Sequence, residues 1–362
     1  MLQATPSRSS SHERFSVVKM GTGVSLDAPG ATAAPVGALR SPKTGWGTRN
    51  SIRLSTSETE SRQHNLQPER NAALYCSVVK VPPQTVSLEM STKKQSARYL
   101  HGFSREEQNR LYEQARVAEQ RIFDTVDFSE CEHILELGCG VGAQTEVLLR
   151  RFSDLHITAL DASETQLAQA RRRLAPYIDA GRVELLQVDA KNTRLKAHSI
   201  DGVFICWLLE HVPQPIDILI EAHRVLKPNG EIVCNEVLNA TFYLEPYSPA
   251  VQEYWFKFND YQWNLGGDPF VGAKLGALLI DAGFHRITSS VKSFHYDKRF
   301  PRQRKRFIKF WTSLLLSATP SMLESKKVSP SLIDRMVEEL ETAAKAEDSV
   351  IFYSWIQAHG FA

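Results

Sequence analysis

No run of apolar residues in this 362-residue chain reaches the roughly 18–20 that a membrane-spanning helix requires. Nor is there a compact apolar core near the start of the kind a secretory signal needs. The five cysteines (Cys76, Cys131, Cys139, Cys206 and Cys234) include no Cys-x-x-Cys pair. Zinc-ribbon and thioredoxin-like sites therefore lack their spacing, and no metal site is expected. Cys206 and Cys234 stand inside apolar, strand-like runs, where a free thiol acts as a small hydrophobe. That usage suits a reducing compartment, so a cytoplasmic location is expected. Charge of one sign is also missing: 43 basic residues face 41 acidic ones, for a net +2. Such a balance argues against nucleic acid as a partner.

Acidic residues are scarce in one place. From Met1 to Thr56 only Glu13 and Asp27 oppose a set of Arg and Lys among Ser, Thr, Ala, Gly and Pro. Without helical or strand periodicity, this stretch has little apolar surface to offset chain entropy. Three readings fit it: a disordered tail, an Arg- and Ser-rich organelle import peptide, or upstream sequence misjoined to the gene. Met90-Ser-Thr-Lys-Lys94 resembles a natural start. Residues 1–92 are therefore set apart as an extension, and 93–362 as the folded domain.

Regular patterning opens at Ser104-Arg-Glu-Glu107, a capping-box spacing, and continues in helical period through Leu111, Ala115, Ala118 and Ile122. Short β-branched runs then alternate with helical stretches. Strands are expected at 133–137, 156–160, 183–188, 202–207 and 230–235. This alternation predicts an α/β fold, a doubly wound, mostly parallel sheet covered on both faces. Ligands of such sheets lie beyond the carboxyl ends of the strands, where strand order switches.

At the first such end stands Glu136-Leu-Gly138-Cys139-Gly140-Val-Gly142-Ala143, a glycine turn between strand and helix. Glycines there permit tight turning and close approach of backbone to a nucleotide-like ligand. With Ala143 in its last place, the pattern also fits the dinucleotide fingerprint. Asp161 ends the second strand, suitably spaced to accept ribose hydroxyls, although it or Ser163 can equally cap the next helix. Glu136 favours a different ligand from NAD. A carboxylate beside the glycines suits an ammonium or sulfonium cation better than a pyrophosphate.

The ordered set Ile134–Gly142, Leu160-Asp-Ala-Ser163, Val188-Asp-Ala190, Asp201-Gly-Val-Phe204, Leu209-Glu-His-Val-Pro213 and Arg224–Gly230 resembles the class I S-adenosylmethionine-dependent methyltransferases. The likeness is to the small-molecule type that includes ubiquinone and menaquinone biosynthesis enzymes, and it spans about 135–235. It implies a seven-stranded sheet ending in an antiparallel strand, with S-adenosylmethionine as cofactor. By position, it implies that Glu136, Gly138, Cys139, Gly140 and Gly142 hold the methionine part. Asp161 then binds the ribose with Ala162 beside the adenine, Asp189 and Ala190 meet the adenine amino edge, and Cys206 and Trp207 line the floor near the methyl. Tyr99 and His101, ahead of the first helix, are candidates to fold over the cofactor's carboxylate.

After residue 240 the sequence changes character. Aromatics crowd 242–263, a strand is expected at 287–296, helix-forming sequence runs over 299–347, and a final strand over 350–357. The domain thus divides into a cofactor half (93–240), a substrate cover (241–349) and the last strand. The aromatics are expected to pack the cover onto the sheet, to line an apolar pocket, or both. Basic residues interleaved with aromatics over 298–311 read as a solvated helix face, with contact to an anionic lipid surface as the alternative.

A small-molecule acceptor is the expected partner. A base is needed only where the nucleophile is protonated at neutral pH; His211 is the first candidate and Glu210 the next, followed by His101, Tyr247 and His295. Ile205-Cys-Trp-Leu208 lacks the elements that grip a flipped base, which argues against a nucleic-acid methyltransferase. An RNA or protein acceptor and a non-catalytic binding protein remain as alternatives.

Overall fold

In the computed structural model, residues 99–362 are described. The readings made for 1–92 lie outside the described residues. The chain runs through α1 (Arg105–Ile122), β1 (His133–Leu137), α2 (Ala143–Arg151), β2 (His156–Asp161), α3 (Glu164–Asp179), β3 (Val183–Gln187) and β4 (Ile200–Cys206). It continues with α4 (Pro215–Val225), β5 (Leu226–Val237), β6 (Tyr243–Glu245), α5 (Pro249–Asn264), α6 (Leu275–Asp281) and β7 (His285–Tyr296). The last elements are α7 (Pro301–Glu324), α8 (Pro330–Lys345) and β8 (Val350–Phe361).

The strands form one sheet in the order β3-β2-β1-β4-β5-β8, with β7 on the far edge of β8. The first five are parallel, and β8 runs antiparallel between β5 and β7. Ile134, Leu135 and Leu137 of β1 are wholly buried, as expected of a central strand covered on both faces. The seven expected strands are joined by a short eighth, β6, which also pairs with β8. The last strand continues past residue 357 to Phe361. Ala358-His-Gly-Phe361 has weak strand propensity, but ladders with β5 and β7 on both edges hold it extended.

Ser104 caps α1 by accepting from the Glu107 amide at 3.2 Å. The reciprocal half of the expected box is absent, because the Glu107 carboxylate pairs with Arg110 instead. Two apolar clusters cover the sheet, one on each face. One gathers α1, α2, α3 and the aromatics of α5 and α7; the other gathers α4 and α6. The helical cover expected over 299–347 is thus the α7–α8 pair, which together with α5 forms a wall against the sheet. No helix among the described residues is long and apolar enough to cross a membrane.

Candidate active site

Strand order reverses between β1 and β4, which pair so that Glu136 lies opposite Phe204 and Leu137 opposite Ile205. Beyond these strand ends the chain leaves β1 by the glycine turn and β4 by Trp207. The amides of Gly138 and Cys139 both donate to the Leu160 carbonyl at 2.9 Å, which ties the turn to the end of β2. Gly138 sits at φ +74°, and a Cβ there would lie 2.8 Å from Leu208. Gly140, at φ +52°, meets open space where its Cβ would project, on the wall of a cavity. Only glycine combines that backbone with so bare a surface.

Asp161 accepts from the Gly140 amide at 2.9 Å and from the Ser163 amide at 2.8 Å. It therefore braces the glycine turn while lining the cavity, and Ser163 caps α3. Glu136 is buried beside it, and its Oε2 has no hydrogen-bond partner. Burial, together with the nearby Asp161 charge, pushes the Glu136 carboxyl up to about 7. A buried, unpaired carboxylate is costly and is usually explained by a missing partner. A ligand ammonium supplies what this site lacks, so the residues present fit S-adenosylmethionine.

The cavity's outer wall is a strap, Tyr99 to Phe103. The Tyr99 hydroxyl donates to Glu107 Oε1 at 3.1 Å, and His101 Nδ1 lies 2.6 Å from Ser317 Oγ on α7. Burial, with the Arg110 and His211 charges adding to it, holds His101 well below the usual imidazole range, so it is neutral at pH 7. Arg110 is itself engaged, with two bonds of 2.7 and 2.6 Å to Glu107 and one of 2.5 Å to Gln114.

A short 3-10 turn, Leu209–His211, forms the floor beyond β4. Its amides are gathered by the buried carboxylate of Glu236: Leu208 at 3.0 Å, Leu209 at 2.8 Å and Glu210 at 3.3 Å. Gln262 of α5 donates to Glu210 Oε2 at 2.8 Å, and His211 Nε2 stands 3.6 Å from Glu210 Oε1. Just before this turn, Trp207 adopts φ +56°, uncommon for so large a side chain.

The far wall is aromatic. Trp255, Phe258, Phe294, Phe307, Phe310 and Trp311 line it, with Tyr353 from β8. Trp255 and Phe258 stack at 5.1 Å, and Phe294 lies 4.5 Å from Phe307. Each such ring buries enough apolar area to stabilise the fold by about 4–6 kcal/mol, an upper figure. The cluster is thus core packing and cavity lining at once.

The structure brings Tyr99, Glu136, Gly138, Cys139, Gly140, Asp161, Ala162, Cys206, Trp207, Glu210 and His211 to one cavity. Gly142 stands behind it against Leu174, and Asp189 and Ala190 are not on its wall. The Asp189 carboxylate is largely exposed and turns to the Lys191 amide at 3.0 Å. Tyr247 and His295 point outward to solvent, away from any reacting group.

Comparison with known proteins agrees with this geometry. Residues 135–234 match a family model described as a methyltransferase domain. These residues form an S-adenosylmethionine-dependent methyltransferase domain. A demethylmenaquinone methyltransferase of Staphylococcus epidermidis is 29% identical over 199 residues, covering 51% of this chain and 79% of that protein. An uncharacterized transposon protein of Streptomyces fradiae is 31% identical over 172 residues, covering 47% of this chain and 48% of that one. Among solved structures, phosphoethanolamine N-methyltransferase 2 of Haemonchus contortus is similar at a TM-score of 0.44 and 18% identity. That match covers 69% of this chain and 52% of the other.

Several lining residues of the methyltransferase had not been singled out from sequence, among them Arg110, Gln144, Asn239 and Tyr353. Glu236, which shapes the floor without lining it, was also missed. Its only signal was a polar pair, Asn235-Glu236, interrupting the apolar run from Ile232 to Val237. The basic stretch 298–311 is divided. Phe307, Phe310 and Trp311 face inward, Arg304 donates to the carbonyls of Ala346 and Glu347, and Arg306 pairs with Glu113.

Proposed function

We propose that this methyltransferase transfers the methyl group to a small, partly apolar acceptor held between the strand ends and the aromatic wall. The observation that carries the reading is one continuous cavity with an unpaired buried carboxylate at its glycine end and an aromatic box at the other. Glu136 takes the cofactor's ammonium, with Gly138 to Gly142 beside it. Asp161 takes the ribose and Ala162 lies by the adenine. Asp189 and Ala190 are assigned the adenine edge on the family resemblance alone.

S-adenosylmethionine, when bound, supplies an electrophilic methyl group on a sulfonium. The chain's part is alignment and exclusion of water, for which the aromatic wall and the strap are suited. Where the acceptor is protonated, His211 removes its proton at Nε2, and the Glu210 carboxylate at ion-pair distance steadies the resulting imidazolium. Gln262 and Glu236 hold Glu210 for that task.

The curated relatives include enzymes named for demethylmenaquinone, and an aromatic-lined box suits an acceptor of that kind. We assign the protein to the cytoplasm on the free thiols of Cys131, Cys139, Cys206 and Cys234. Any lipid-surface contact through 298–311 falls to the exposed charges Arg302, Lys305 and Lys309, because the helix's apolar face is already buried. Calorimetry with S-adenosylhomocysteine and NAD tests the reading: binding of S-adenosylhomocysteine is expected, and binding of NAD alone would overturn it.

A further inference from the structure

Four indoles surround the aromatic box, and they fall into two pairs. Trp255 donates to the Asn239 carbonyl at 2.9 Å, and Trp355 donates to Asn235 Oδ1 at 3.2 Å. Trp207 and Trp311 donate to nothing, although both N–H groups are buried and both residues line the cavity. Trp207 stands at the strand end, within reach of the cofactor's place. Trp311 belongs to α7 and is 2% exposed.

The Trp311 ring has no freedom to find a partner elsewhere. It stacks flat on Phe242 at 4.8 Å, meets Tyr353 at 4.8 Å and Trp255 at 5.3 Å, and lies 5.8 Å from Phe307. A buried donor locked in place without an acceptor is a defect in a finished core, and a recognition group in a binding site. Three polar groups that line the cavity are already committed. Tyr353 donates to Asn239 Oδ1 and Asn239 to Asn259 Oδ1, while Arg110 is neutralised by Glu107.

We infer that Trp311 is a specificity-determining residue, whose indole N–H donates to an oxygen of an uncharged ring acceptor seated in the aromatic box. This deepens, and rests on, the small-molecule methyltransferase reading. The oxygen is a carbonyl or hydroxyl rather than a phosphate, since the box offers no uncompensated cation for a phosphate's charge. The box likewise selects against an oxygen-free hydrocarbon, which leaves the donor unmet.

The test uses the full chain loaded with S-adenosylhomocysteine, whose binding is measured first. The probes are 1-tetralone and its oxygen-free counterpart tetralin. Tetralone is expected to bind the wild type more tightly than tetralin. Trp311→Phe is expected to weaken tetralone about three- to tenfold, the range of one neutral hydrogen bond, and to leave tetralin unchanged. In the wild type, the Trp311 indole N–H resonance shifts downfield with tetralone and not with tetralin, a readout that does not depend on the variant folding. Equal effects on both probes, or an unmoved indole resonance, overturn the inference. Failure of S-adenosylhomocysteine to bind at the outset overturns instead the reading on which it rests.

Discussion

The strand-end wall and the cover wall of this cavity are built on opposite physical terms. The strand-end wall is polar: Glu136 is buried with one oxygen unmet, Asp161 accepts from backbone amides, and the glycine turn leaves side chains absent. The cover wall is nearly all ring carbon, and its few polar atoms are mostly satisfied within the protein. The first wall stores unmet charge and the second stores apolar area. On the proposed function, a charged cofactor and an apolar acceptor would meet where the two walls join, at Trp207 and the turn holding Glu210 and His211.

The sharpest way to probe that junction is His211→Asn. Loss of a working base lowers kcat by about 10²–10⁴-fold for a protonated acceptor, with S-adenosylhomocysteine affinity unchanged. Undiminished turnover in that variant removes His211 as the base. Next in size is Glu136→Gln, which breaks a charge-assisted contact and weakens S-adenosylhomocysteine by about 10–100-fold in calorimetry.

The same variant sharpens the contrast through stability. Because burial raises the Glu136 carboxyl to about 7, the folded apo-protein holds this proton more tightly than the unfolded chain. Its stabilising contribution is complete at low pH and is lost as pH rises through about 7. Glu136→Gln is therefore expected to raise apo-protein stability at pH 8 by about 1–3 kcal/mol in denaturant titrations. Cofactor binding selects the ionised carboxylate, so affinity in the wild type falls as pH drops below about 7, approaching tenfold per unit, and the Glu136→Gln substitution abolishes that slope. The smallest effect on the cofactor is expected from the opposite wall. Phe310→Ala costs about 3–5 kcal/mol of stability, yet changes S-adenosylhomocysteine affinity less than about twofold. A large loss of affinity there breaks the division between the walls.

Legibility from sequence follows the same division. The strand-end wall is assembled from consecutive residues at element boundaries, so Glu136, Gly138 and Asp161 betray themselves by spacing. The cover wall draws single residues from α5, α7 and β8, and nothing in the local pattern around Trp311 distinguishes a recognition donor from core. Asp189 shows the converse: its motif position is clear, but its side chain turns outward to Lys191. Glu236 escaped because its role lies in amides it accepts from a turn some twenty-seven residues away in sequence. The extra residues of β8 were missed for a related reason, since two neighbouring strands rather than local propensity hold Ala358 to Phe361 extended.

The Glu236 carboxylate has a further consequence, for how the cavity opens. With three successive amides anchored to a buried side chain of β5, the floor turn belongs mechanically to the sheet. Its amide hydrogens should exchange with solvent deuterium as slowly as those of the strands, although they lie outside any ladder. The strap is tied across to α7 by the His101–Ser317 contact. With three anchors on the floor turn and one such contact from strap to α7, opening of the cavity is expected on the side of the strap and α7 rather than at the floor.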